Sequence, residues 1–162
     1  MILLTVGTQL PFDRLVRIVD EIAPTLGEPV TAQIGCGKYI PANMEWRRVI
    51  DPVEFEDLMD RVTLVISHAG IGTIVTAQRH SKPLILFARS AQLSEHRNDH
   101  QLATVNALAQ QQGIRVASTV EELEMLLREP VTKVTRMEIT ARRQSLCDAV
   151  ADFIQDSIEG RS

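Results

Sequence analysis

The stretch Ser67-His-Ala-Gly-Ile-Gly-Thr73 constrains this chain more than any other. It follows the apolar run Val62-Thr-Leu-Val-Ile66, which reads as a buried parallel strand, and a helical stretch from Ile74 to His80 comes next. The order strand, glycine-rich turn, helix points free backbone N–H groups and the positive end of a helix dipole at one spot. Glycine lets a ligand approach the backbone with no Cβ in the way. Such a spot suits a phosphate or diphosphate. On spacing alone, a tight connection without any ligand accounts for Gly70 and Gly72 equally well.

Two common phosphate motifs are excluded. The third glycine of a dinucleotide fingerprint falls on Val75, and no GK[ST] follows the turn. Gly35-Cys-Gly37-Lys38 fails the P-loop pattern as well, because Ala32 stands where its first glycine belongs.

Around this turn the chain alternates strand and helix. Ile2 to Val6 reads as a strand ending at Gly7-Thr8-Gln9, and a helix starting at Pro11-Phe12 places Leu15, Ile18, Val19 and Ile22 on one face. Val30 to Ile34 is a second strand and Arg47 to Ile50 a short third one. Asp51-Pro52 leads into a helix from Val53 to Asp60. Lys82-Pro83 precedes the strand Leu84 to Phe87, and Ala88 to Arg97 is a polar loop. A helix from Asn98 to Gln112 and a last strand, Ile114 to Ala117, come next. Thr119 and Glu122 form a capping box for a helix reaching Arg128. Beyond Pro130, a long amphipathic helix spans Lys133 to Ile158.

This alternation predicts an α/β fold: a Rossmann-like, doubly wound, mostly parallel sheet in a single domain over 1–162, with its core in about 1–130. Ligands of such sheets bind beyond the carboxyl ends of the strands. Three polar turns fall at that edge: Gly7-Thr8-Gln9, Ser67 to Thr73, and the segment from Ala88 to Gln101.

Composition excludes several classes of function. A net charge of −4 and an aromatic content of 4% disfavour a nucleic-acid partner, which wants a basic face or stacking platforms. Cys36 and Cys147 make no zinc or redox motif and suit free thiols in a reducing cytoplasm. No apolar run approaches the length of a membrane span.

Individual side chains keep two readings each. His68 either donates to a phosphate or approaches a reacting centre, or is satisfied by a neighbouring backbone group. His80 ends a helix, where a cation suits the dipole, and reads as structural. Glu95-His-Arg-Asn-Asp-His-Gln101 is either a solvated loop with a helix cap or a set of donors and acceptors for sugar hydroxyls. Arg89 and Arg97 are either solvated surface arginines or, if the ligand is a uronate sugar, candidates to pair with its carboxylate.

Taken together, the turns resemble the donor-binding C-terminal half of GT-B glycosyltransferases, and most closely glycosyltransferase family 28. The matching residues are Thr5-Val-Gly-Thr8 with Phe12-Asp13, Ser67 to Thr73, Lys82-Pro83, and Glu95-His-Arg-Asn-Asp-His-Gln-Leu-Ala103. Within the family the chain looks like the small subunit of two-subunit bacterial exopolysaccharide transferases, which are similar to the small subunit of the eukaryotic dolichol-linked GlcNAc transferase.

The resemblance implies an inverting transferase with a UDP-sugar donor and a lipid-linked, polyprenyl diphosphate acceptor. By that analogy Gly7, Thr8, Gly70, Gly72 and Thr73 hold the diphosphate, and His68 lies near the phosphates or the anomeric carbon. Asp99, His100 and Gln101 read the donor sugar, and the nucleoside sits near Ile50 and Thr76. The family often has glutamate at the position of Thr76, bonding both ribose hydroxyls. A threonine cannot supply that bidentate acceptor. The alternative reading is therefore a non-catalytic binding or scaffold subunit with a decayed donor site.

No metal and no cofactor beyond the UDP-sugar are expected, since no DxD-type carboxylate pair accompanies the site. The first strand begins at Met1, so the acceptor half and catalytic base are expected on a separate, membrane-anchored subunit. That partner would hold this chain peripherally at the cytoplasmic face of the plasma membrane. A homodimer covering the donor face is compatible with the same reading.

Overall fold

A computed structural model of the chain describes residues 1–8, 10–89 and 113–129. Within them the elements are β1 (Ile2–Thr5), α1 (Asp13–Ile22), a 3₁₀ turn (Ala23–Thr25), β2 (Val30–Gln33), β3 (Glu45–Arg47), α2 (Pro52–Arg61), β4 (Leu64–His68), α3 (Ile71–Arg79), β5 (Leu84–Phe87), β6 (Ile114–Ala117) and α4 (Val120–Arg128). Asp99, His100, Gln101, Gln9, Arg97, Cys147 and both helices expected over 98–112 and 133–158 lie outside the described residues.

The strands form one six-stranded sheet in the order β3-β2-β1-β4-β5-β6. Every pairing is parallel, so the sheet is wholly rather than mostly parallel among the described residues. Parallel strands buried on both faces should read as continuous apolar runs, and β1 and β5 do. Alternate side chains serve opposite faces. Ile2, Leu4 and Val6 pack with Ile66, Phe87 and the buried sides of α1 and α4. Leu3, Val65, Leu84 and Leu86 pack under α2 and α3 with Met59, Ile74 and Ala77. Each large aliphatic side chain so buried contributes about 1.5–3 kcal/mol.

Most boundaries fall within one or two residues of the sequence reading, and three differences bear on the site. β3 covers Glu45–Arg47 rather than residues 47–50, and its side chains are all exposed. The amides of Ile34 and Gly35 donate to the carbonyls of Arg47 and Arg48 at 2.9 Å each, so ladder bonds hold this edge and not burial. Ile50 lies beyond the strand. β4 runs on to His68, and α3 starts at Ile71, which puts Gly72 and Thr73 inside its first turn.

The helix ends follow local chemistry. Asp51 accepts from the Val53 amide and Pro52 occupies the first turn of α2. Thr119 and Glu122 form the expected capping box: the Thr119 hydroxyl accepts from the Glu122 amide at 3.2 Å, and Glu122 Oε2 accepts from Thr119 N at 3.3 Å. At the amino edge of the sheet, His80 lies between two carboxylates of α2, with Nδ1 2.7 Å from Asp60 and Nε2 2.6 Å from Glu56. Lys82 Nζ donates to the carbonyls of Asp60 and Val62 at 2.8 and 2.9 Å. His80 and Lys82 thus brace α2 against α3 and β5, far from the carboxyl edge.

Candidate functional site

The strand order reverses between β1 and β4. The chain leaves β1 toward β2 and leaves β4 toward β5, on opposite sides. The loops therefore diverge and open a crevice at the carboxyl ends, the usual ligand position in open α/β sheets. The register pairs Thr5 with Ser67, so Gly7 and the turn after β4 stand side by side at this opening.

His68 is the last residue of β4, and its half-buried ring occupies the space between two glycines. A Cβ on Gly7 would lie 2.9 Å from its Cε1, and a Cβ on Gly70 2.5 Å from its Nε2. A Cβ at either glycine would therefore have to displace the His68 ring, before any ligand is considered. Gly7 also has φ +75°, where a side chain is strained. The ring nitrogen Nδ1 lies 3.4 Å from Ser67 Oγ, and the Gly70 amide donates to the His68 carbonyl at 2.7 Å, which closes the turn.

Gly72 is different. Among the described residues, nothing lies within 4 Å of where its Cβ would stand. The first helical bond of α3 runs from Ile74 N to Gly70 O at 3.2 Å, so the amides of Ile71, Gly72 and Thr73 precede the ladder. Among the described residues no side-chain cap is seen at this helix start. An anion placed here meets three backbone donors and the positive end of a nine-residue helix.

Other residues named from the sequence take the following places. Thr8 is exposed beside Gly7. Ile50 is buried in the core under α2 and α3, which leaves only its backbone for recognition. Thr76 turns its hydroxyl back onto its own helix and donates to Gly72 O at 3.0 Å. That proton is consumed within α3, while the carbonyl it meets belongs to the anion-facing turn.

The supporting side chains were not found from sequence. Buried Gln33 accepts from the Ile50 amide at 2.9 Å through Oε1 and donates to Thr5 Oγ1 at 3.2 Å through Nε2. It ties the segment before α2 to β1. Gly35, at φ +60°, packs so closely on this loop that a Cβ would lie 2.4 Å from Gly7 O. Asp13 accepts from the Lys38 amide at 3.0 and 3.1 Å, and Arg48 Nη1 donates to Gly35 O and Gly37 O at 3.3 and 3.0 Å. Asp13, one of the residues that carry the family resemblance, therefore fastens the loop after β2. Arg89, considered above as a uronate partner, is buried and directed inward.

Residues 1–156 match the family model of the glycosyltransferase family 28 C-terminal domain. The chain belongs to this family. Solved structures agree on the fold. The family 28 domain superposes on the glycotransferase of kitacinnamycin with a TM-score of 0.62 at 18% identity, covering 95% of this chain and 42% of that one. It superposes on ALG13 with a TM-score of 0.57 at 18% identity, covering 82% and 87% of the two chains. The Streptomyces sp. SF2575 glycosyltransferase SsfS6, solved with thymidine diphosphate, gives 0.50 at 19% identity over 88% and 35%. The family 28 domain thus spans less than half the length of the kitacinnamycin enzyme and SsfS6, and nearly the whole of ALG13. No curated protein matches by sequence.

Proposed function

We propose that this domain binds the diphosphate of a UDP-sugar at the N-terminus of α3 and forms the donor half of an inverting glycosyltransferase. The observation that carries the reading is the first turn of α3, with no side-chain cap and Gly72 open among the described residues, at the strand-order reversal between β1 and β4. The thymidine diphosphate held by SsfS6, a protein of the same fold, supports a nucleoside diphosphate as the ligand class.

In the proposed reaction an acceptor hydroxyl attacks the anomeric carbon, the bond from that carbon to the diphosphate oxygen breaks, and UDP leaves. The hydroxyl proton passes to a base on the acceptor side, with His68 facing the phosphates or the reacting carbon. Negative charge grows on the diphosphate as the bond breaks. Preorganised amides and a helix dipole stabilise that charge more in the transition state than in the ground state, and one such donor is worth about 3 kcal/mol of barrier. This chemistry runs on backbone donors, so we assign it no metal.

The acceptor half and the base belong, in this proposal, to a separate membrane-anchored subunit that presents a polyprenyl diphosphate-linked sugar for exopolysaccharide synthesis at the cytoplasmic face. The test is calorimetry with UDP and sugar transfer by the chain co-expressed with its neighbouring membrane protein, in the presence of EDTA. Gly72→Asp is expected to remove binding and transfer by placing a carboxylate against the anion. Absence of UDP binding up to millimolar concentration with the partner present would establish the scaffold alternative instead.

A further inference from the structure

Arg89 follows β5, and its side chain crosses the end of β4 to reach the other flank of the crevice. It is 7% exposed. Nη2 donates to Val6 O at 3.1 Å and to Leu10 O at 3.0 Å, and Nη1 donates to Pro11 O at 2.6 Å. These three carbonyls bracket Gly7 and Thr8 on both sides in sequence. The guanidinium also lies 4.5 Å over the Phe12 ring, which stacks on Phe87 at 6.0 Å between centroids. On the same aromatic pair, Arg14 sits 4.5 Å over Phe87 and donates to Ala88 O at 3.0 Å. The segments after β1 and β5 are therefore fastened to each other over β4, the strand that carries the glycine turn.

A planar fork with five donors can serve three carbonyls at once, and an ammonium on a flexible stem cannot hold the same set. The bonds are internal to the fold and commit the carbonyls of Val6, Leu10 and Pro11 to the guanidinium. An amide and its preceding carbonyl share one plane, so fixing Val6 O fixes the direction of the Gly7 N–H. We infer that Arg89 is a positioning residue for the diphosphate: it touches no ligand and sets the orientation of the Gly7-Thr8 backbone beside the α3 N-terminus. The inference rests on the proposed donor site, and it makes Arg89 a determinant of phosphate affinity rather than a reader of the sugar.

The experiment compares wild type, Arg89→Lys and Arg89→Met by amide NMR, first without ligand and then titrated with UDP and with uridine. In the unliganded variants the Gly7 and Thr8 amides are expected to shift while those of Ile71, Gly72 and Thr73 stay in place. UDP affinity is expected to fall about tenfold or more in Arg89→Lys, the scale at which misplaced binding groups act. Uridine affinity should remain within about twofold, because the nucleoside carries no phosphate for the loop to meet. Equal losses for UDP and uridine, or unshifted Gly7 and Thr8 amides in a folded Arg89→Lys protein, overturn the inference. A wild type that binds no UDP even with the partner present overturns the donor-site reading, and the ligand-free amide shifts then decide the role of Arg89 alone. Arg89→Lys remains informative if Arg89→Met fails to fold.

Discussion

Gly70 and Gly72 stand two residues apart and answer to different constraints. Gly70 has φ −98° and ψ 127°, which any residue adopts, so its need for glycine is steric: the His68 ring fills the place of its Cβ. Gly72 has open space there and sits in the first turn of a helix. Alanine should therefore act in opposite directions at the two positions. Gly70→Ala is expected to cost about 1–3 kcal/mol by forcing the ring from its place against Gly7 and Ser67. Gly72→Ala is expected to stabilise the unliganded fold by about 0.5 kcal/mol through helix propensity and unfolded-state entropy, while weakening UDP binding by intruding on the anion. Urea denaturation and UDP titration of both variants check the pair. The motif was legible as a turn from its spelling alone, but this division of labour was not. Spacing says where a Cβ is missing, and only the neighbours say what occupies the gap.

At the scale of elements, the least regular part of the chain is held by one buried side chain. Asp20, on α1, accepts from the amides of Ala42 and Asn43 at about 3 Å and from the Tyr39 hydroxyl at 2.7 Å. Burial pushes the carboxyl up, but the two amides and the hydroxyl outweigh it and hold it below its ordinary value of 3.8. Because the folded value is depressed, this contribution to stability is fully present above about pH 3.8 and is lost as the pH falls through the lower folded value. Asp20→Asn is expected to cost about 3 kcal/mol at pH 7, since an amide replaces a charged acceptor. Its stability curve should also be flatter between pH 5 and 2 than that of wild type, by denaturation across that range. Nothing about Asp20 distinguishes it in sequence from the solvated carboxylates of an amphipathic helix. β3 escaped for the opposite reason: Glu45, Trp46 and Arg47 are all exposed on an edge strand, so no burial pattern marked them and the apolar Val49-Ile50 drew the expected strand downstream. The start of α3 was read too late because glycine in its first turn carries poor helix propensity.

Across the whole molecule, the proposed donor site couples ligand binding to the fold through the carboxyl edge. The segments after β1, β2, β3 and β5 are fastened by Arg89, Asp13, Arg48 and Gln33 around a turn whose helix amides have no cap. A diphosphate bound there supplies the missing acceptors, and a ligand that binds only the folded state stabilises it by mass action. At a free UDP concentration of about 100 Kd the gain is about 2.7 kcal/mol. A rise in Tm of roughly 5–10 °C is expected for a domain of this size. Thermal scans with UDP, TDP and uridine check this, with the nucleoside giving the smallest shift.

The sequence by itself determined the fold class, the strand runs of β1, β5 and β6, the α4 capping box, the glycine turn and the family to which they belong. These are local: a period of two or an apolar run reports burial, a capping box closes within four residues, and a turn motif is contiguous. The tertiary structure decided the reversal between β1 and β4, the enclosure of His68 by Gly7 and Gly70, and the reach of Arg89 to carbonyls 78 to 83 residues away. Those contacts depend on which parallel strands become neighbours. Side-chain alternation within a strand carries no record of the strand that will lie beside it.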